Sequence, residues 1–298
     1  MNLCGLEHII KENFNLSCVS SMKTGGCAKL CFFPETYEEL KRVLDETEGV
    51  PCRYIAGKAS NLLFPDDASK LTVIFTEKMS EIKKVSDREI FAMCGATLTS
   101  VCNFAKKSSL AGLEFAYGIP GSVGGGVYMN AGAYGGEMSQ VLKSVEVYDT
   151  NKKEFYMMDA SECELSYRHS VFMQRKELIV TGAVFSLSEG DEKEIDAVCK
   201  GHMQARKDKQ PLEYPSCGSA FKRPEGYFAG KLIEDCGLKG FTVGGAQISE
   251  KHAGFVINHG GATSEDVRIL LQKTADMVYE KFAVRLCPEI EIIEEPEK

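Results

Sequence analysis

The chain is defined first by what it lacks. Nowhere in its 298 residues does an apolar run approach the roughly 20 residues of a membrane-spanning helix, so membrane insertion is not expected. Positive charge is not in excess. The 35 Lys and Arg face 43 Asp and Glu, for a net charge of −8, which argues against the basic face of a nucleic-acid-binding protein. Internal repeats and low-complexity segments are also missing. The 12 cysteines include no Cys-x-x-Cys pair, and the five histidines do not fall among them at zinc-like spacing, so no metal site is expected. The opening segment MNLCGLEHIIKENFN carries charges inside its short apolar stretch and does not read as a signal peptide. A cytoplasmic protein follows, with reduced thiols serving as small apolar residues. Two common phosphate loops are missing as well. No GxGxxG occurs in the glycine-rich stretch, and Gly57, Lys58 and Ala59 fail the Walker A pattern at both ends.

What is present is an ordinary globular composition, 44% hydrophobic and 26% charged, long enough for two domains or one large one. Three blocks stand out. The first runs to residue 75. In it Thr36 and Glu39 form a capping box for a helix whose apolar face is Tyr37, Leu40, Val43 and Leu44, and CRYIAG and LTVIFT read as strands. The second covers 76–190. It holds the strand EIFAMCG, a helix with Leu98, Val101, Cys102 and Ala105 on one face, a hairpin turning at Asn151 and Lys152, and a long strand ELIVTGAVFSLSEG. The third, 191–298, has a helix faced by Ile195, Val198, Cys199 and Met203. A second helix is faced by Ala229, Leu232, Ile233 and Cys236 and stopped by Gly237; a third starts near Ser264. Short strands HAGFVIN and PEIEIIE complete it. Loose alternation of strands and helices predicts an α+β fold with mixed sheets.

Between residues 116 and 137 the chain reads AYGIPGSVGGGVYMNAGAYGGE. Glycine inside an element costs about 0.5–1 kcal/mol relative to alanine, so such a run needs a compensating reason. A flexible linker would lack Ile119, Val123, Val127, Tyr128 and Met129. Backbone that approaches a ligand closely would keep them as anchors and leave N–H groups free, which is enough to bind a pyrophosphate without either standard motif.

These residues resemble a known family. GLEFAYGIPGSVGGGVYMNAGAYGGE, with SMKTGG, AGKASNLL, SYRHS, QPLEYPSCGSAFKRP, AGKLIEDCGLKG, KHAGFVIN and LCPEIEII, is similar in content and order to the UDP-N-acetylenolpyruvoylglucosamine reductases over residues 20–294. The resemblance implies a fold in which two α+β subdomains (1–75 and 76–190, together about 20–188) bind FAD in the manner of the vanillyl-alcohol-oxidase-like flavoproteins. It also implies an α+β C-terminal domain (191–298) that carries much of the substrate site. It implies FAD held by Gly57, Ser60, Asn61, Leu62, Ile119, Pro120, Gly121, Ser122, Gly125, Asn130 and Gly132. No histidine stands at 57–61, where some relatives attach flavin, so the FAD is expected to be non-covalent. The short spacing after Arg168 resembles the class without a substrate-covering tyrosine insertion.

The implied reaction, a step of peptidoglycan precursor synthesis, transfers hydride from NADPH through FAD to C3 of an enolpyruvyl UDP-sugar. Negative charge develops at C2 and in the carboxylate. Arg168 matches the family arginine, and its planar fork of donors suits a carboxylate; outside such a motif an arginine is more often an ion-pair partner. Ser219 matches the proton donor to C2, where the bland alternative is a turn serine. Glu289 matches the family glutamate, with Cys287 where many members have another acid. Tyr167, Lys209, Lys222, Arg223 and Lys231 are implied substrate contacts. The four basic residues would serve the diphosphate, and NADPH phosphates in turn. Cys217, near Ser219, is not needed as a nucleophile. Two rivals remain open at this point: another flavin oxidoreductase of the same fold, and a nucleotide-binding regulator that has lost catalysis. Neither needs Arg168, Ser219 and Glu289 together.

Overall fold

A computed structural model of the chain describes residues 3–294. It divides into two compact units, each described by itself. The first comprises the N-terminal segment to Lys11, Cys31–Lys58 and Val73–Ala205; the second comprises Glu12–Leu30, Ala59–Thr72 and the chain from Arg206.

In the first unit, helix α1 (Tyr37–Glu46) starts as its sequence predicts. The Thr36 side chain accepts from Glu39 N, the Glu39 carboxylate accepts from Thr36 N, and Leu40, Val43 and Leu44 are buried. The main layer is a five-stranded antiparallel sheet in the order Glu154–Asp159, Leu142–Asp149, Leu178–Ser186, Glu89–Met93, Ile82–Ser86. Its first two strands are the predicted hairpin. The predicted long strand breaks at Leu187, whose N–H turns to Arg88 O, and Ser188–Glu189 then pairs with Leu110–Ala111. Helix α2 (Leu98–Lys107), capped by Thr97, buries the four residues its periodicity marks. Helix α3 (Val123–Tyr128) packs on Leu178–Ser186 and Glu89–Met93. That packing corrects one expectation about the glycine run. A Cβ at Gly124 would lie 3.0 Å from the Cβ of Cys94, and one at Gly126 would lie 3.2 Å from Leu98 and Met138. These two glycines admit the helix to the core rather than a ligand.

Helix α4 (Glu192–Lys209) buries Ile195, Cys199 and Arg206, spaced at i, i+4 and i+11. Val198, expected on the inward face, is 45% exposed, because the buried stripe runs through 195 and 199 and leaves 198 to one side.

In the second unit an antiparallel sheet runs Ser216–Ser219, Phe255–Asn258, Ala246–Ile248, Thr242–Val243. Helix α5 (Ala229–Asp235) contributes Ala229, Leu232 and Ile233 to its core. Helix α6 (Ser264–Phe282) contributes Val267, Leu270, Leu271 and Val278, and Met22 and Leu63 complete it. Gly237 stops α5 at φ +75°. Both predicted strands here are shorter than their apolar runs. Gly254 N donates to His252 Nδ1 and turns the chain before Phe255, and only Glu291–Ile292 of PEIEIIE forms a ladder, parallel to Leu62–Leu63. The architecture is α+β. Among the described residues no helix is long and apolar enough to cross a membrane.

Candidate functional site

Two constellations of the expected residues form, one in each unit. In the first unit, residues 119–122 are stitched to the start of α2. Leu98 N donates to Gly121 O and Val123 N to Ala96 O around a bridge between Thr97 and Ser122. That pattern directs the Ser122 N–H away from the bridge, and it has no backbone acceptor among the described residues. The Ser122 side chain is buried and caps α3. Gly57 ends the strand Arg53–Ala56 directly against it: a Cβ there would lie 2.1 Å from Ser122 Oγ. Ile119 packs on the core behind, while Pro120 and Gly125 are exposed and Gly121 is half-buried. The result is main chain without side chains at the half-buried Gly57 and Gly121 and the exposed Gly125, anchored from beneath by the buried Ser122.

The same stretch seats a second group. Asn130 is fully buried with φ +42°; its Oδ1 accepts from Ser139 N at 3.0 Å and its Nδ2 donates to Ser166 O at 3.0 Å. Residues 166–169 form a tight turn in which the N–H and C=O of Ser166 and His169 bond reciprocally, with Tyr167 and Arg168 at its tip. Tyr167 is 50% exposed and the Arg168 guanidinium lies over its ring at 5.1 Å. Arg168, at φ +52°, also donates from Nη2 to Gly132 O at 3.2 Å. The buried Ser170 hydroxyl donates to Tyr128 O at 2.7 Å on the far side of the turn.

In the second unit the strand Ser216–Ser219 carries a register shift against Phe255–Asn258, with Gly218 at φ +76°. A bulge of this kind re-aims the next side chain; Ser219 is exposed, whereas Cys217 and Ala220 on either side are buried. The chain then pairs with residues 287–289. Glu289 N donates to Ala220 O at 2.9 Å, Phe221 bridges Pro288, and Lys222 N donates to Cys287 O at 2.9 Å. Asn61 Nδ2 donates to Glu289 O at 2.9 Å, and Asn61 O accepts from Glu291 N. Asn61, Ser219 and Glu289, far apart in sequence, are thereby gathered by one run of main-chain bonds. Ser60 and Leu62 flank Asn61, both half-buried; Leu62 O lies 3.6 Å from Cys217 Sγ. Burial pushes the Cys217 thiol up to about 12, so it stays neutral.

The basic residues are less gathered. Lys222 is next to the 287–289 segment, Arg223 lies over the exposed Phe228 ring at 4.7 Å, and Lys209 is exposed at the end of α4. Lys231 is 66% exposed and pairs with Asp235 one turn on at 2.6 Å; that hydrogen bond raises its pKa. Its ammonium is already engaged on a solvated helix face. Sequence reasoning did not find Ser170 or the reciprocal turn at 166–169, since a single hydroxyl bonded to a distant carbonyl leaves no periodic signal.

Residues 28–153 match a family described as "FAD binding domain", and residues 210–293 match "UDP-N-acetylenolpyruvoylglucosamine reductase, C-terminal domain". A UDP-N-acetylenolpyruvoylglucosamine reductase of Clostridium botulinum is 48% identical over 278 residues, 93% of this chain and 90% of that one. Its counterpart in Clostridium novyi is 44% identical over 288 residues, 96% and 92% of the two chains. The crystal structure of UDP-N-acetylenolpyruvylglucosamine reductase from Thermus caldophilus is 33% identical with a TM-score of 0.80, covering 96% of this chain and 98% of that one. On this similarity along nearly its whole length, the chain belongs to the UDP-N-acetylenolpyruvoylglucosamine reductase family.

Proposed function

We propose that this protein reduces UDP-N-acetylglucosamine enolpyruvate to UDP-N-acetylmuramate, with FAD as a non-covalent cofactor and NADPH as the reductant. The observation that carries the reading is the gathering of Ser219, Glu289 and Asn61 by main-chain bonds, in a chain of this family. The residues of the first unit fit the cofactor. The half-buried Gly121 and the exposed Gly125 leave the main chain there without side chains, and Ser122 N has no backbone partner among the described residues, as close approach of a pyrophosphate requires. Gly57, Ser60, Asn61, Leu62, Ile119, Pro120, Gly121, Ser122 and Gly125 would hold it, with Gly132 in the same loop. Asn130, expected among them, is instead fully buried with both ends of its carboxamide bonded to Ser139 N and Ser166 O, and shapes the loop without touching the cofactor. When bound, FAD supplies hydride transfer between NADPH and the substrate.

The remaining chemistry falls to the chain's own side chains. Arg168 binds the substrate carboxylate and holds the negative charge that spreads into it, the kind of preorganised donor that dominates many rate enhancements. Ser219, the exposed residue after the bulge, delivers the proton to C2. Glu289, one strand away, orients that proton transfer. Lys209, Lys222 and Arg223 serve the diphosphate. Lys231 joins them only by leaving Asp235. Residues 1–75 and 76–190 act as the FAD-binding subdomains and 191–298 as the substrate domain, in a cytoplasmic enzyme of peptidoglycan precursor synthesis.

The purified protein should be yellow, release FAD on acid or heat treatment, and oxidise NADPH only when the enolpyruvyl substrate is present. A folded, colourless chain that fails to bind added FAD would overturn the proposal.

A further inference from the structure

We propose that Asn130 is a positioning residue for Arg168, which makes the second half of the glycine-rich stretch the seat of the arginine turn. The inference rests on the role proposed for Arg168. The reciprocal Ser166 and His169 bonds fix the shape of the turn but not its place. Two buried side chains fix its place. Asn130 donates to Ser166 O on one side, and Ser170 donates to Tyr128 O on the other. The guanidinium itself reaches Gly132 O, two residues beyond Asn130. Root, far side and head of the turn thus all attach to residues 128–132.

Asparagine suits this position for two separate reasons. The backbone at 130 has φ +42°, a region Asn tolerates better than most other L-residues. The site also needs an acceptor for Ser139 N and a donor for Ser166 O at opposite ends of one short side chain, and only a carboxamide supplies both. With no exposed surface, Asn130 acts through Arg168. Arg168 is itself held at positive φ, a conformation that persists only where the surroundings over-determine it.

The test is Asn130→Asp, which keeps the shape and the acceptor but sets an oxygen against Ser166 O. FAD content and the rate of FAD reduction by NADPH should stay near wild type. Reoxidation of the reduced enzyme by the enolpyruvyl substrate should fall about 10²-fold, the cost of roughly 1 Å of misplacement. In an Arg168→Ala background the same change should cost no more than about 2-fold, because two residues acting through one interaction are not additive. Loss of FAD in Asn130→Asp would make Asn130 a cofactor ligand and overturn the inference. So would a penalty that multiplies in full onto Arg168→Ala. If Arg168→Ala alone leaves turnover intact, the proposed role of Arg168 fails first, and the two failures are told apart. Should Asn130→Asp not fold, Ser170→Ala runs through the same cycle: coupling to Arg168→Ala supports the inference and full multiplication overturns it.

Discussion

Arg168 and Glu289 are held in opposite ways. The arginine sits on a turn whose position depends on two side chains, Asn130 and Ser170, and on the guanidinium's own bond to Gly132 O. Glu289 and Ser219 sit on segments joined by main-chain bonds through Ala220, Phe221 and Lys222, to which the Asn61 side chain adds its bond to Glu289 O. A main-chain pairing survives most substitutions along it, since every residue but proline brings the same donor and acceptor. A side-chain anchor is lost with one mutation. In the first unit, changes away from the tip should therefore disturb the chemistry. In the second, only changes at the tip should.

The largest expected effect is at such a tip. Ser219→Ala removes one exposed hydroxyl and none of the pairing, so folding should not change. FAD reduction by NADPH should persist, while reoxidation by substrate should fall roughly 10²–10⁴-fold, the range for a positioned general acid. Stopped-flow absorbance of the flavin separates the two steps. Reoxidation at the wild-type rate would pass the donor role to Glu289 or a water molecule.

Arg168→Ala should cost about 10²–10³-fold in the same step, as removal of one preorganised donor does. Arg168→Lys should recover little, because the ammonium lacks the planar fork. Steady-state kcat and KM for the enolpyruvyl substrate report both. Full activity in Arg168→Lys would mean that charge alone suffices, and the careful seating of the turn would lose its purpose.

Legibility follows the same division. The helices were legible because their signals are local: the Thr36 and Glu39 capping box, and the stripe Leu98, Val101, Cys102, Ala105, all recur in the structure. Val198 falls outside the core because the buried stripe of its helix, through Ile195, Cys199 and Arg206, is too narrow to include it, whereas the wider stripe of α2 takes both Val101 and Cys102. The candidate site residues were legible only through the family motifs. Nothing local to Ser219 announces that Glu289 lies beside Ala220, because main-chain bonds carry no residue code. The glycine run was half legible: Gly125 is exposed and open as a ligand surface would demand, while Gly124 and Gly126 answer to packing against Cys94, Leu98 and Met138, as Gly57 outside the run does against Ser122.

Gly57→Ala tests the packing that supports that surface. A Cβ 2.1 Å from Ser122 Oγ forces the capping serine off a buried position. Overpacking of this kind costs about 1–3 kcal/mol, so FAD affinity should fall roughly tenfold or more. Quenching of flavin fluorescence on titrating the apoprotein measures it. Unchanged affinity would move the cofactor surface away from residue 57.

The smallest effect belongs to Cys217, and it probes the main-chain half of the comparison most directly. Cys217 lies two residues before Ser219 on the same strand, and its thiol points at Leu62 O from a buried position. Burial raises its pKa to about 12, so at pH 8 the reactive thiolate is scarce and hydride and proton transfer have no use for it. Cys217→Ser puts a hydroxyl where Leu62 O can accept from it and leaves every bond that pairs the strand with Phe255–Asn258 in place. Turnover should stay within about 3-fold of wild type, well short of the roughly 100-fold that marks a lost acid–base group. In the native protein iodoacetamide should label the exposed Cys4, Cys18, Cys27 and Cys287 well before Cys217, as peptide mass analysis after a timed quench would show. A 100-fold loss in Cys217→Ser would mean that the strand depends on this side chain, and the second unit would then be built like the first.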